Sequence, residues 1–292
     1  MERLRLSYKE LSKINPRLIY ASASGWGSDG PYRDKPGQDL LAQSLGGLAS
    51  VTGKRDDFPT PVGASVGDQH SASLLALGIL AALFYRERAG KGQKIEVSLL
   101  QSVMDLQAEA LAYYLNGGGV KSITRSQSGI SMPYMEAPYG IYKTRDGYLA
   151  ISLIPLEKLA ELLEIEKLND YFGKDILDKK DEIKKIIQER IKDRTTNDWI
   201  DILEKENLWC APVKNYEQLV NDPQVKYNQS IKEIKSDHIG KIKVIGCPIR
   251  LTETPAGIYS APPMLGEHNK KVLNSLGYCD GEIEILKRER VI

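Results

Sequence analysis

The chain has 292 residues, of which 41% are apolar and 7% aromatic, and its 40 lysines and arginines face 39 aspartates and glutamates. The resulting net charge of +1 offers no excess of positive charge for a nucleic-acid or anionic-membrane partner. The apolar content is sufficient for a packed core, and the absence of low-complexity tracts excludes a chain that is disordered throughout. Cys210, Cys247 and Cys279 are widely spaced, which predicts a reduced, cytoplasmic compartment and no metal site.

The first part of the chain alternates helix and strand patterns. A helix is predicted over Tyr8–Asn15, because the residue before Pro16 is disfavoured in the helical region. Further elements follow in chain order: a buried strand at 18–22, a helix at 38–49, a strand at 94–98 and a helix at 99–115. Helices that alternate with short buried strands predict an α/β layer architecture.

The longest apolar stretch, Ser71–Tyr85, lies in a predicted helix that begins after Gly67 and Asp68. It is shorter than the ~20 residues that span a bilayer. Because the pattern is apolar on nearly all sides, we predict a buried helix and no membrane partner.

The second part of the chain begins with a break at 116–119 and a segment without periodicity at 124–136. Asp146 and Gly147 separate two apolar runs, a pattern typical of a β-hairpin. Residues 156–206 show helical spacing with charges of both signs, which indicates solvated helix faces. A strand at 241–246 and a helix from Gly266 or Glu267 to Leu276 complete the pattern.

Asp68 is the carboxylate with the strongest candidate role. It stands at the start of the apolar helix, where free backbone N–H groups favour an anion. An N-cap alone explains an aspartate at this place. A covalent nucleophile is the alternative, since the adjacent Gly67 leaves room for a ligand to approach. The residues by themselves leave both interpretations open.

Other reactive residue types give weaker signals. The three histidines lack the paired spacing of a zinc site, and His70 is the one with a candidate role because it lies two residues beyond Asp68. Cys210 has no neighbouring base, which predicts a buried structural thiol. The run Gly117–Gly119 lacks the lysine and hydroxyl residue of a phosphate-binding loop, so a linker and a lid both remain open.

Short motifs are spread over the whole chain, and several are unspecific when taken alone. The principal ones are Asn15–Ser22, Gly25–Gly27, Gly30–Gly37, Val66–Asp68, Gly90–Gln93, Ala137–Gly140, Asp222–Gln224 and Gly266–Asn269. In order and spacing they resemble the family III CoA-transferases, the relatives of formyl-CoA and carnitine-CoA-transferases. The resemblance implies an α/β fold with a Rossmann-like large domain at 1–125, a smaller α+β domain at 126–250, and a segment at 251–292 that returns to the large domain.

The resemblance implies a reaction as well. Family members move CoA from an acyl-CoA to a free carboxylic acid, with the CoA thioester as substrate and no tightly bound cofactor. The family's nucleophilic aspartate matches Asp68. Its attack on the thioester gives an aspartyl anhydride, the released CoA thiolate converts this to an aspartyl-CoA thioester, and the acceptor acid then reverses the exchange.

Further site residues are implied by the same resemblance. Racemases of the same fold carry histidine where this chain has Gln38, and glutamine cannot shuttle a proton near neutral pH, so transfer is favoured over an α-methylacyl-CoA racemase. Gln38 is then expected to shape the acyl pocket. The other expected contacts are Gly117, Gly118 and Gly119 as a shielding loop, and Arg3 and Lys35 at the CoA phosphates.

Partners form the last expectation. Relatives form an interlocked homodimer and carry a further N-terminal segment ahead of the part that matches Met1–Leu4. We therefore expect exposed apolar surface, and either a homodimer or a complex with a chain that supplies that segment. An internal start, a degenerate remnant and a non-catalytic subunit are the alternatives.

Overall fold

The computed structural model describes residues 1–174, 176–236 and 238–292. Contacts divide the chain into two compact units, Met1–Val213 and Lys214–Ile292. The domain boundaries at 125 and 250, which rest on the family resemblance, stay a prediction.

The first unit opens with an α/β arrangement around a parallel pair of strands. Its elements are α1 (Tyr8–Ile14), β1 (Tyr20–Ser24), α2 (Asp39–Leu45), α3 (Leu48–Val51), α4 (Val66–Ala89), β2 (Lys94–Ser98), α5 (Leu99–Leu106) and α6 (Ala108–Tyr113). β1 and β2 pair in register from Tyr20 opposite Lys94 to Ser24 opposite Ser98. Parallel pairing needs a crossover, which α2 to α4 supply. The predicted α/β class is confirmed.

Glycines and caps divide the predicted helices. The helix predicted over 38–49 is interrupted at Gly46 and Gly47, where Gly47 has a φ of 84° before α3 begins. The helix predicted over 99–115 ends at Leu106, restarts as α6 and continues into a π-helical turn at Tyr114–Gly118. The side chain of Ser98 caps α5 by accepting a hydrogen bond from the Gln101 N–H.

Helix α4 differs from its prediction in burial. It packs against α2, α5, β1 and β2, and it ends at Gly90, whose φ of 71° suits a glycine C-cap. Yet only Gly67, Ser71 and Ala82 of α4 are buried, whereas Leu77, Leu80 and Phe84 are 63%, 63% and 62% exposed. The predicted burial is wrong, because no described element of the chain covers the outer face. By length and composition α4 could cross a bilayer, a property it shares with core helices.

The rest of the first unit is built on a three-stranded antiparallel sheet. Its elements are β3 (Gly140–Lys143), β4 (Tyr148–Ile151), α7 (Leu156–Leu163), α8 (Lys180–Ile191), α9 (Thr196–Lys205) and β5 (Cys210–Pro212). β4 lies between β3 and β5, and the predicted hairpin is confirmed by the pairing of Lys143 with Tyr148. Trp199, Tyr142 and Leu149 are buried in one apolar core with the inner faces of α7 and α8. This is the best-packed part of the chain.

Two buried lysines hold the segment before β3 to helix α8. The Nζ of Lys184 donates to the Gly129 carbonyl, and one turn earlier the Nζ of Lys180 donates to the Pro133 carbonyl. Burial, reinforced by the nearby charge of Lys54, lowers the pKa of Lys184 to about 8. In the unfolded chain the ordinary pKa is 10.5.

Replacing Lys184 with methionine tests whether the pKa of this lysine is lowered in the folded chain. Between pH 8 and pH 10 the unfolded wild type holds a proton that the folded form has lost, so raising the pH stabilises the folded wild type. We expect the melting temperature of the wild type to rise relative to Lys184→Met over this range, and the difference to be flat below pH 7. Circular dichroism melts at several pH values measure it. Lys185→Met, at an exposed neighbour, is the control; a constant difference across the range would contradict the shift.

The second unit is small and largely exposed. Its elements are α10 (Tyr216–Asn221), α11 (Pro223–Tyr227), β6 (Ile231–Ser236), β7 (Gly240–Ile245), α12 (Asn269–Ser275) and α13 (Asp280–Arg288). β6 and β7 form an antiparallel pair. The strand predicted at 241–246 corresponds to β7. The helix predicted to end at Leu276 corresponds to α12, and Gly277 follows it with a φ of 94°.

Candidate active site

Asp68 lies in the first turn of α4 with an exposed side chain. The residue that precedes the helix, Ser65, makes no side-chain hydrogen bond to it. Instead the N–H groups of Gly67 and Asp68 donate to Oδ1 of Asp39, at 2.8 and 3.2 Å. The interpretation of Asp68 as the cap of its own helix is therefore wrong. The helix begins at Val66, earlier than predicted, so Asp68 is its third residue, and the cap is supplied by Asp39 of α2.

Asp39 is itself held in place by Gln43. The Gln43 amide donates to Oδ2 of Asp39 at 2.6 Å, and its carbonyl oxygen accepts from the Val62 N–H at 2.8 Å. Gln43 is 1% exposed. Asp39 and Gln43 stand at i and i+4 on α2, so the two side chains share one helix face. The network joins α2, the segment before α4 and the first turn of α4.

Close glycine contacts shape the loops around this network. Gly25 and Gly37 approach so closely that a Cβ on Gly25 would lie 2.5 Å from the Gly37 Cα. Beside them the Trp26 indole donates to the Pro36 carbonyl at 3.1 Å. A Cβ on Gly67 would lie 3.0 Å from Oδ1 of Asp39, so a side chain there would crowd the cap. Glycine at these positions lets the chain approach Asp39 and the start of α4.

The predicted binding residues occupy different parts of the first unit. Gln38 is exposed and precedes Asp39, so it lies beside the start of α2. Lys35 is exposed with its Nζ 3.9 Å from the centre of the Tyr32 ring. Arg3 is exposed in a short 3-10 turn at Glu2–Leu4. The chain itself brings Gln38 next to the Asp39 network, whereas Arg3 and Lys35 have no described hydrogen bond or ion pair to it.

The glycine run follows α6. Gly117 and Gly119 have φ values of 110° and 53°, conformations that favour glycine. A Cβ on Gly118 would lie 2.7 Å from the Tyr113 carbonyl oxygen, which gives this residue a packing reason of its own. No described hydrogen bond joins Gly117, Gly118 or Gly119 to Asp68. Their shielding role stays a prediction.

His70 and Cys210 have local explanations. Nε2 of His70 lies 2.6 Å from Oδ2 of Asp105, which links α4 to α5. Two residues along a helix correspond to a rotation of about 200°, so His70 faces away from Asp68. Cys210 is half-buried in β5, and burial raises the pKa of its thiol. Within the described residues, no three histidine, cysteine or acidic side chains converge on a metal position.

Sequence reasoning missed Asp39 and Gln43. Both residues fall inside the helix predicted over 38–49, but their function depends on contacts with residues more than eighteen positions away. The available signal was the i, i+4 spacing of an acid and an amide at the start of a helix. That spacing indicates a side-chain pair and does not indicate what the pair binds.

The arrangement leaves one carboxylate chemically available. The side chain of Asp68 has no hydrogen-bond or ion-pair partner among the described residues, and it stands at the positive end of a 24-residue helix. Gly63, in the preceding segment, has open space where a Cβ would stand. A carboxylate with free lone pairs at an open position can attack an activated carbonyl.

Comparison with known proteins identifies relatives of one kind. The family model CoA-transferase family III matches residues 1–269. An acyl-CoA transferase of Fusarium pseudograminearum is 32% identical over the whole chain, which spans 65% of that relative's length. Succinyl-CoA:glutarate CoA-transferase of Mus musculus is 30% identical, and the whole chain spans 68% of its length. Both relatives are named as transferases, so the racemase alternative is not favoured.

Solved structures agree with the sequence relatives. A CAIB/BAIF family protein of Brucella suis superposes with a TM-score of 0.77 at 29% identity, covering 94% of this chain and 72% of its own. A protein of Mycobacterium tuberculosis superposes with a TM-score of 0.77 at 26% identity, covering 92% and 72%. The predicted fold family is thus confirmed. The chain belongs to CoA-transferase family III.

Proposed function

We propose that this chain transfers CoA from an acyl-CoA to a carboxylic acid, with Asp68 as the covalent nucleophile. The observation that carries the proposal is the Asp68 carboxylate without a described partner, in a helix turn whose N–H groups are bound by Asp39. An aspartate engaged as a cap would have its lone pairs turned towards the backbone. Here they are available to a substrate carbonyl.

The proposed chemistry proceeds by exchange of acyl groups without hydrolysis. The Asp68 carboxylate attacks the thioester carbonyl, forming a mixed anhydride while the C–S bond breaks and CoA leaves as the thiolate. The thiolate attacks the Asp68 carbonyl of the anhydride, giving an aspartyl-CoA thioester and releasing the donor acid. The acceptor carboxylate then attacks the carbonyl of this thioester, which forms a second anhydride as CoA leaves as the thiolate. The thiolate attacks the acceptor's carbonyl, giving the new acyl-CoA and releasing the Asp68 carboxylate. Each intermediate keeps the activation of the thioester as long as water is excluded.

The relatives narrow the substrates that we propose. Relatives are named for the pairs of succinyl-CoA with D-citramalate, glutarate or mesaconate, and of formyl-CoA with oxalate. We therefore propose a short acyl-CoA, with succinyl-CoA as the first donor to test, and a small dicarboxylic acid as acceptor. Gln38, next to Asp39, is proposed to line the acyl pocket.

Contacts with CoA are proposed at more distant positions. Arg3 and Lys35 carry exposed cationic groups, which suit phosphate oxygens. Gly117 and Gly119 occupy backbone conformations that permit a tight turn, which suits a loop that shields the intermediate. We propose no resident cofactor, because the thioester substrate supplies the activated group. The three cysteines are free, which supports a reducing, cytoplasmic location.

The outer face of α4 supports a protein partner. Leu77, Leu80 and Phe84 are exposed on it, and a groove of about 530 Å³ lies between α4 and β1. A bilayer is the less favourable cover, since the same helix packs on β-strands whose unpaired backbone groups cannot face hydrocarbon. We propose a second copy or a complementary chain; a relative from Chloroflexus aurantiacus is named as a β subunit. Sedimentation equilibrium of the purified chain alone tests for a second copy. The same measurement with a complementary chain added tests for a complex of two different chains.

An isotope exchange experiment tests the function. The chain is incubated with succinyl-CoA and ¹³C-labelled glutarate, and the CoA esters are separated and weighed by mass spectrometry. We expect labelled glutaryl-CoA to appear in step with the loss of succinyl-CoA, without net hydrolysis. Loss of thioester with no labelled product would contradict transfer. Deuterium incorporation at the α-carbon in heavy water, without exchange of acyl groups, would indicate an isomerase.

A further inference from the structure

The first turn of α4 is capped in an unusual manner. Serine is among the preferred N-cap residues, yet Ser65 leaves the first-turn donors unused. The acceptor for two of them is Oδ1 of Asp39, 28 and 29 residues earlier in the chain. The cap thus comes from a separate helix, and its position depends on how α2 is held.

This external cap has a consequence for Asp68. An acidic residue at the third position of a helix can turn back to the N–H of the N-cap residue, as in a capping box; for Asp68 that residue is Ser65. The carboxylate of Asp39 lies in this same turn, on the N–H groups of Gly67 and Asp68, and its like charge repels the Asp68 carboxylate. The negative charge of Asp39 also occupies the positive end of the helix, so the Asp68 carboxylate gains little by folding back.

We propose that Asp39, fixed by Gln43, is a positioning residue that keeps the Asp68 carboxylate turned away from the helix and available to the thioester. The inference rests on the proposed function of Asp68 and assigns a role to two further residues. The hydrogen bond from Gln43 determines which oxygen of Asp39 caps the helix. The Gln43 amide donates to Oδ2, which leaves Oδ1 to accept from the N–H groups of α4. Its carbonyl oxygen, bound to the Val62 N–H, prevents the amide from reversing.

Reversing the direction of the hydrogen bond between residues 39 and 43 tests the positioning role. In Asp39→Asn the new amide nitrogen faces the Gln43 amide, donor against donor, and the side chain at 39 leaves the helix N-terminus. In Asp39→Asn combined with Gln43→Glu, the carboxylate at 43 accepts from both the amide at 39 and the Val62 N–H. The hydrogen bond between residues 39 and 43 is restored, while the negative charge moves from position 39 to position 43, one helical turn away. Asp201→Asn, at an exposed aspartate of α9, is the matched control.

Two readouts are used on the intact chain. The first is transfer kinetics, where we expect Asp39→Asn to lower kcat about 10- to 100-fold with KM changed less than about threefold, and the double variant to recover to within about fivefold. The second is the rate at which a water-soluble carbodiimide and an amine label Asp68, read by peptide mass spectrometry. We expect this rate to fall with Asp39→Asn and to recover in the double variant.

The outcomes separate this inference from the proposed function. If Asp39→Asn matches the wild type in both readouts, the positioning role is overturned. It is likewise overturned if the double variant regains the wild-type melting temperature but keeps slow labelling of Asp68. If the wild type is labelled at Asp68 and transfers no CoA, the proposed function fails, while the labelling series still decides whether Asp39 positions Asp68.

Discussion

Asp68→Ala is expected to lower CoA transfer by about 10³-fold or more and to abolish covalent capture of CoA. The variant removes the carboxylate that forms the anhydride at this position, whereas the cap of α4 stays in place because Asp39 binds backbone N–H groups. The fold should therefore persist, with a melting temperature within a few degrees of the wild type. A large loss of activity in a stable variant is the signature of a missing nucleophile.

Intact-mass measurement after incubation with succinyl-CoA tests whether CoA is captured on Asp68. The wild type should gain the mass of CoA less one water, and hydroxylamine should remove it. Asp68→Ala should gain nothing, whereas Asp201→Ala, at an exposed position, should behave as the wild type. A CoA adduct that survives in Asp68→Ala would place the nucleophile elsewhere.

Gly25→Ala is the second change with a large expected effect. The backbone of Gly25 is not in the left-handed region, so the cost comes from the contact alone: the new Cβ would lie 2.5 Å from the Gly37 Cα. The segments that contain Gly25 and Gly37 cannot move apart easily, because each is held by a hydrogen bond. The Gly25 carbonyl accepts from the Leu100 N–H at 3.1 Å, and the Trp26 indole binds the Pro36 carbonyl. We expect a loss of about 2 kcal/mol or more in the free energy of unfolding.

Gly25→Ala should also lower the transfer activity. Gly37 stands two residues before Asp39, so moving it displaces the cap of α4, and transfer should fall further than stability alone explains. Urea unfolding and transfer kinetics measure the two effects. Gly63→Ala is the control, because no atom lies within 4 Å of its Cβ position and its backbone is ordinary; it should be neutral or gain about 0.4–1 kcal/mol. Equal behaviour of the two variants would contradict the role of the contact.

Local patterns predicted the elements that local interactions determine. The β3–β4 hairpin follows from Asp146 and Gly147 between two apolar runs. The strand predicted at 94–98 coincides with β2, and Gly90 marks the end of α4 as its conformation requires. In each case the residues that decide the structure lie within a few positions of it.

Burial and capping could not be predicted in the same way. The pattern of α4 shows that its faces are apolar, but it does not show whether this chain supplies a cover, and Leu77 and Leu80 are exposed. Likewise the sequence around Asp68 indicated a cap, whereas α4 begins at Val66 and its cap comes from Asp39 through a contact across 28 residues. Both errors come from tertiary contacts that a sequence window does not contain.

The cap supplied by Asp39 also bears on the order in which the chain folds. Helical turns form from near neighbours in about a microsecond or less, whereas a contact between residues 28 positions apart must wait for the intervening loop to close. The body of α4 can therefore form before the N–H groups of its first turn have found their acceptor. The turn that carries Asp68 is therefore completed only when α2 docks against α4.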